Sequence, residues 1–211
     1  MSAAEPQIEH GWVQRELALE LPGLALASAC VTPAAPARAT ADGRAQRLAV
    51  LADRLRGAQV VALRTRPVVA AQRSFFRQVG LDPDVQRTPI EEAALGRMLQ
   101  GGFVSRTPLD DALLIALLET AVGVWALDDA RVHGPLGLAM GGEGAGARLV
   151  VADATGPVAA AFGAVVVDRR AGPHTRRLRL FAIQVPGVPA IAVEEALWTC
   201  AQALVEAGAD R

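Results

Sequence analysis

The stretch TPLDDALLIALLETAVGVWALDD, Thr107–Asp129, constrains the fold more than any other. Thr107 can cap a helix, Pro108 suits the first helical position, and Asp110 and Asp111 favour the positive end of a helix dipole. Ala112 to Leu118 is then apolar on every face, which belongs inside a protein. A membrane-crossing helix needs about 20 mostly apolar residues, and Glu119 interrupts this run well short of that. The expectation is a buried central helix that leads into a turn at Asp128 and Asp129. The same grammar occurs just before it, in TPIEEAALGRMLQGG. Thr88 can be the cap, Pro89 the first helical residue, and Glu91 the partner in a capping box, with Gly101 and Gly102 releasing the chain.

The remaining elements follow from periodicity and breakers. Gly23–Val31 reads as a buried strand, and Thr32–Gly43 as a loop rich in Pro and Ala. Asp42 is placed to cap a helix running to about Arg56, stopped by Gly57. Gln59–Arg64 reads as a short strand and Pro67–Val79 as a helix stopped by Gly80. In the second half, PLGLAM, RLVVAD, VAAAFGAVVVD and RLRLFAIQV read as strands, and a helix from about Val193 to Ala207 ends at Gly208. Helices gathered in the first half and strands in the second predict an α+β fold rather than alternating βαβ units. The length suits one domain, expected over residues 10–207 with tails at 1–9 and 208–211.

Composition removes several function classes. The formal net charge is -1, so no global basic field draws the chain onto nucleic acid or anionic lipid. All 21 basic residues are arginine, and there is no tyrosine. Lysine Schiff-base chemistry and a tyrosine acid are therefore excluded. Cys30 and Cys200 sit in apolar surroundings and read as buried thiols, with no Cys/His spacing for zinc. No metal or cofactor is expected. The opening residues lack a secretion-signal pattern, and no apolar run is long enough to span a bilayer, so a soluble cytoplasmic protein is expected.

The chemistry-bearing residues are few. GGEGAGA (141–147) lies between two strands and lacks a following helix, so it reads as a hairpin turn and not a phosphate loop. His10 and His133 read as exposed or structural. His174 lies in DRRAGPHTRRLR, beside Thr175 and five arginines in twelve residues, where it could act as a base and the arginines could meet phosphates. No Ser-His-Asp, Cys-His or GxSxG arrangement is visible. An enzyme built from these residues would position water rather than form a covalent intermediate.

The ordered series of segments resembles the B3/B4 domain of the bacterial phenylalanyl-tRNA synthetase β subunit, and more closely the small free-standing proteins made of that domain alone. The resemblance runs over roughly residues 10–207. Its carriers are Gly101-Gly102, the Thr107–Asp111 helix start, Asp128, Gly134–Leu138 and Gly142-Glu143. LVVADATGPVAAAFG, TRRLRLFAIQV, Phe75 to Thr88 and the final helix add to it. The resemblance implies a three-layer β/β/α domain with a pocket between strands and helices. It also implies binding of aminoacyl-tRNA or an aminoacyl ester, with hydrolysis of mischarged tRNA as the associated chemistry.

Taken with this resemblance, in which Asp168 stands for the acidic residue that reads a tyrosine hydroxyl, the residue reading puts Asp168, His174 and Thr175 in the catalytic role. Glu119, Trp125, Asp128 and Gly163 would contact substrate, and Arg169, Arg170, Arg176 and Arg177 would contact phosphate or RNA. The chain departs from the pattern where Trp125 stands in place of the family's pocket histidine and Leu127 in place of an aromatic residue. Two alternatives stay open: a non-catalytic pocket protein for an amino acid or related metabolite, and a diverged enzyme of specialised metabolism on the same scaffold.

Overall fold

In the computed structural model, which describes residues 6–34, 38–142 and 148–205, the strands form two four-stranded sheets. The first sheet has the order β1-β3-β8-β4, with β1 Ile8–His10, β3 Ala25–Val31, β8 Leu178–Gln184 and β4 Val124–Asp128, all antiparallel. The second has the order β2-β5-β6-β7, with β2 Trp12–Val13, β5 Gly137–Gly141, β6 Arg148–Asp153 and β7 Gly156–Ala160. Here β2 runs parallel to β5, and the other pairs are antiparallel. The fold is α+β, as the sequence predicts.

Both faces of the first sheet are covered, which is why β3 and β8 read as near-continuous apolar runs. Leu26 points to the second sheet, where its side chain packs beside Gly11 and Leu136. Alternation puts Phe181 and Ile183 on that same face. The opposite face carries Ala27, Ala29, Leu180 and Ala182. Helix α7, Ala190–Val205, packs on β3, β8 and β4, and the small side chains of that face let it approach closely.

Helix α6, Pro108–Thr120, lies between two apolar clusters. Ala112 and Ala116 join the main core, while Ile115 and Leu118 join a second one with Leu48, Leu51, Leu63, Val69 and Ile90. This double burial explains a helix that is apolar all round. Its start is capped as the sequence predicts: the Thr107 hydroxyl accepts from the Asp110 N–H at 3.1 Å. The capping box of α5, Pro89–Gln100, is also present, with Gly101 left-handed at its end (φ 75°). Among the described residues, no helix is long and apolar enough to cross a membrane.

Several expectations are corrected. Residues 59–64 are not a strand; Ala58–Ala62 is a short helix (α3) that runs into a 3-10 turn at Leu63–Thr65. Among the described residues no strand pairs with it, and Val61 is left exposed at 77%. Helix α2 begins at Arg38 and ends at Arg54, so Asp42 lies inside it and is not its cap. Of the segment expected as a tail at 1–9, Ile8 and Glu9 belong to β1, and residues 1–5 lie outside the described residues.

Further corrections fall in the second half of the chain. Trp125 is not at the end of the central helix. That helix stops at Thr120, Ala121 turns left-handed (φ 62°), and Trp125 sits inside β4. The apolar run at 158–168 does not continue as one strand. It leaves β7 after Ala160, turns through a left-handed Phe162 (φ 56°) and closes in a 3-10 turn at Val167–Arg169. Most of GGEGAGA lies outside the described residues, and it joins the antiparallel neighbours β5 and β6 at Gly141 and Arg148. The last helix starts at Ala190, earlier than predicted, and its end near Gly208 also falls outside the described residues.

Candidate functional site

A hollow of about 270 Å³ opens between α6, the start of α5 and the start of β4. One stripe of α6 forms a wall: Asp110, Leu113, Leu114 and Leu117 recur at helical spacing. Pro89, Gly123, Val124 and Trp125 complete the lining. The three leucines are half-buried, unlike Ile115 and Leu118 on the far side of the helix. The volume falls just below the roughly 300–1,000 Å³ of small-molecule pockets.

Trp125 lines this hollow and belongs to an aromatic cluster. Its ring stacks on Phe181, with centroids 5.7 Å apart and planes 15° apart. Phe162 meets it edge-on at 5.9 Å and also packs against Phe75 and Phe76. Such contacts add about 0.5–1.5 kcal/mol per pair beyond area burial. The left-handed Phe162 therefore works as a wedge, held between α4 (Pro67–Gln78) and β4.

Gly123 is required beside it. A Cβ at Gly123 would lie 2.7 Å from the far edge of the Trp125 ring and 3.3 Å from Pro89. Gly123→Ala is therefore expected to push the indole out of its stack, close part of the hollow and cost about 1–3 kcal/mol. Urea denaturation and the indole emission maximum together check this. An unchanged midpoint with unchanged emission would refute it.

The far end of β4 is ionic. The Asp128 carboxylate accepts from the Ala130 N–H at 3.2 Å and pairs with Arg131 at 3.6 Å. Arg131 in turn donates to the carbonyl oxygen of Asp168 at 2.8 Å. Asp129 pairs with Arg177 at 3.1 Å and Arg179 at 2.9 Å. The Arg170 guanidinium donates to the Val165 carbonyl at 3.0 Å, and Arg170 bridges to Leu127 on β4. Asp153, wholly buried at its side chain, accepts from the His133 and Thr155 N–H groups and from the Thr155 hydroxyl. Arg169 pairs with it at 3.3 Å. Burial alone would raise the Asp153 carboxyl, but these donors and the Arg169 charge hold it below the ordinary carboxylate value.

The fold thus brings Asp128, Asp168, Arg169, Arg170 and Arg177 together around the end of β4. It puts Gly163 next to Phe162 and hence close to Trp125, with a Cβ there meeting Ala160 at 3.1 Å. Glu119 is elsewhere: it makes a two-pronged pair with Arg47 of α2, both bonds at 2.8 Å. Asp168, His174 and Arg176 are exposed, and the Thr175 hydroxyl accepts from the Gly172 N–H at 2.9 Å in a local turn. The thiols are poor nucleophiles. Burial pushes Cys30 up, and Arg177 and Arg179 only partly offset this, while burial pushes Cys200 up strongly. Among the described residues, no group of three or more His, Cys, Asp or Glu side chains could hold a metal ion.

Sequence reading missed the lining residues Pro89, Asp110, Leu113, Leu114, Leu117 and Gly123. A helix apolar on all sides gives no sign of which stripe will stay half-open; only the packing of α2 and α7 against the other two stripes decides it. Asp153 was also missed as a structural centre, though its Asp-Ala-Thr-Gly turn sequence is a usable signal. A scan against protein-family models finds no match, and a search of curated proteins finds none.

Proposed function

We propose that the chain is a free-standing module of the B3/B4 type that binds the aminoacyl end of a charged tRNA, or an aminoacyl ester, beside Trp125. In this reading the two sheets and the helices on the first sheet form the β/β/α layers of that domain. The observation that carries the reading is one strand, β4, with an apolar hollow at its start and an arginine-rich cluster at its end. An aminoacyl side chain fits the first, and a phosphate backbone fits the second. Arg176 and the exposed edges of Arg170 and Arg177 supply the phosphate contacts, while Arg169 is committed to Asp153. With both thiols held protonated, hydrolysis would use water positioned by Asp168 and His174.

The test is twofold. Filter binding of tRNA should weaken when Arg176 and Arg177 are replaced by alanine, and should fall with added salt. Deacylation of mischarged tyrosyl-tRNA should be measured for the wild type, Asp168→Ala and His174→Ala. Binding without deacylation leaves a binding module and removes the hydrolase. Neither binding nor deacylation removes the reading altogether.

A further inference from the structure

We infer that the outer face of the second sheet is the contact between two copies of this chain, paired about a twofold axis parallel to its strands. The inference is independent of the aminoacyl reading, because no residue lining the hollow belongs to this sheet.

An antiparallel sheet packed on one face ordinarily shows polar side chains on the other. The inner face here carries Leu138 and Val151, both fully buried in the main core. Alternation turns Gly137, Ala139 and Gly141 of β5 the other way. Ala152, Val150 and Arg148 stand opposite them on β6, and β7 adds Pro157 and Ala160. A Cβ on Gly137 would run into the Trp12 indole, and one on Gly141 would meet Val150 at 2.9 Å, so Trp12 and Val150 share this outer side. Trp12 is 40% exposed, and its Nε1 donates to the Pro135 carbonyl at 3.2 Å, which fixes the indole over Gly137. Among the described residues, no helix packs broadly on β5, β6 or β7. The result is an uncovered apolar face with a single charge, Arg148. Contiguous exposed apolar surface of this kind marks an interaction site.

Charge selects the occupant. A phosphate backbone or an anionic bilayer calls for several cations, and this face offers one. The matching acids lie on this chain. Helix α1 (Arg15–Glu20) carries Glu16 and Glu20. The Gln14 side-chain oxygen accepts from the Met140 N–H at 2.9 Å and ties the start of α1 to the Gly141 end of β5, where Arg148 also stands. Arg148, Glu16 and Glu20 are exposed and have no ion-pair partner among the described residues. A twofold axis along the strands keeps like ends together and reverses the strand order. Then β6 lies over the partner's β5, and Arg148 comes to the partner's Glu16. Trp12, Gly137, Ala152 and Pro157 form one row across the sheet. The same axis therefore lays the Trp12 indole of β2 over the partner's Pro157. Four strands about 4.8 Å apart and five residues long cover roughly 19 by 17 Å. That is below the roughly 800 Å² per partner of a standard interface, so the pairing is weak and reversible.

Sedimentation velocity of the full chain from about 5 to about 500 µM reads this directly. The wild type should shift from monomer to dimer over that range. Ala139→Glu, which sets two carboxylates close to the axis, should stay monomeric throughout with an unchanged circular dichroism spectrum. Arg148→Glu should weaken the dimer about five- to tenfold, because the axis repeats the contact. Adding Glu16→Arg to Arg148→Glu should recover most of that loss. A wild type that stays monomeric at the highest concentration overturns the proposal, and so does a dimer that survives Ala139→Glu. A double variant as weak as Arg148→Glu overturns the orientation. A monomer that instead floats with phosphatidylserine vesicles, and loses this in Arg148→Glu, gives the face to an anionic surface and overturns the dimer.

Discussion

Arg73→Ala is expected to lower the unfolding free energy by about 3–5 kcal/mol, the range for stranding one member of a buried ion pair. The Arg73 side chain is 8% exposed and that of Glu91 is 7% exposed, so neither can turn to water. Arg73 donates to Glu91 at 2.8 Å, to the Pro83 carbonyl at 3.1 Å and to Asp84 at 2.7 Å. The hydrogen bond from Arg73 holds Asp84 below the ordinary carboxylate value. The other Glu91 oxygen accepts from the Thr88 N–H and hydroxyl. One guanidinium thus joins α4, the following loop and the cap of α5. With it gone, Glu91 stays buried with its Thr88 hydrogen bonds and, among the described residues, the more exposed Arg64 at 3.4 Å as its remaining ion-pair partner. A double variant, Arg73→Met with Glu91→Gln, should recover part of the loss because the stranded charge is removed and Thr88 keeps an acceptor. Urea midpoints of the three proteins decide it. A loss under 1 kcal/mol for Arg73→Ala would show that the network contributes little.

Asp153→Ala should cost about 2–4 kcal/mol, for a related reason. The carboxylate satisfies two backbone N–H groups and one hydroxyl and balances Arg169. Removing it leaves donors without acceptors at the β6–β7 hairpin, and each such group costs about 1–3 kcal/mol. The same group sets an acid limit. Its folded value lies below the ordinary one, so its stabilisation is complete above pH about 4 and is lost as pH falls through the folded value. Wild-type stability should therefore drop as pH falls below about 4, and the variant should show a shallower drop. Parallel slopes in the two proteins would remove Asp153 from the account. Because Arg169 also donates to the Thr155 hydroxyl at 2.6 Å, the variant should loosen the loop that carries Arg169 and Asp168.

Both networks bear on the candidate site. The first fixes α5, whose Pro89 lines the hollow; the second fixes the turn whose arginines border the end of β4. The stability cost of each variant is then accompanied by a change at a site the residue does not touch.

Local chemistry was enough to specify the starts of α5 and α6. Thr88 with Glu91, and Thr107 with Asp110, form caps from residues three apart, so the chain carries them wherever it goes. The strands at Ala25–Val31 and Leu178–Gln184 were legible because burial on both faces writes a continuous apolar run. Residues 59–64 misled because Val60 and Val61 suit a strand, while a strand also needs a neighbour, and none pairs there among the described residues.

The site divides along the same line. The residue types at the end of β4 could be read as an arginine-rich run, but which arginines are committed could not. Arg169 reaches Asp153 from the 3-10 turn at Val167–Arg169, which follows the left-handed Phe162 after β7. Trp125 could be singled out, but its stack on Phe181 depends on the pairing of β4 with β8, which sets these two directly opposite. By itself the sequence determined the capped starts of α5 and α6, the charge and the absence of lysine and tyrosine, since these depend on residues close along the chain. Only the tertiary structure decided which stripe of α6 stays half-open, because α2, α7 and β4 cover the rest of that helix from distant parts of the chain.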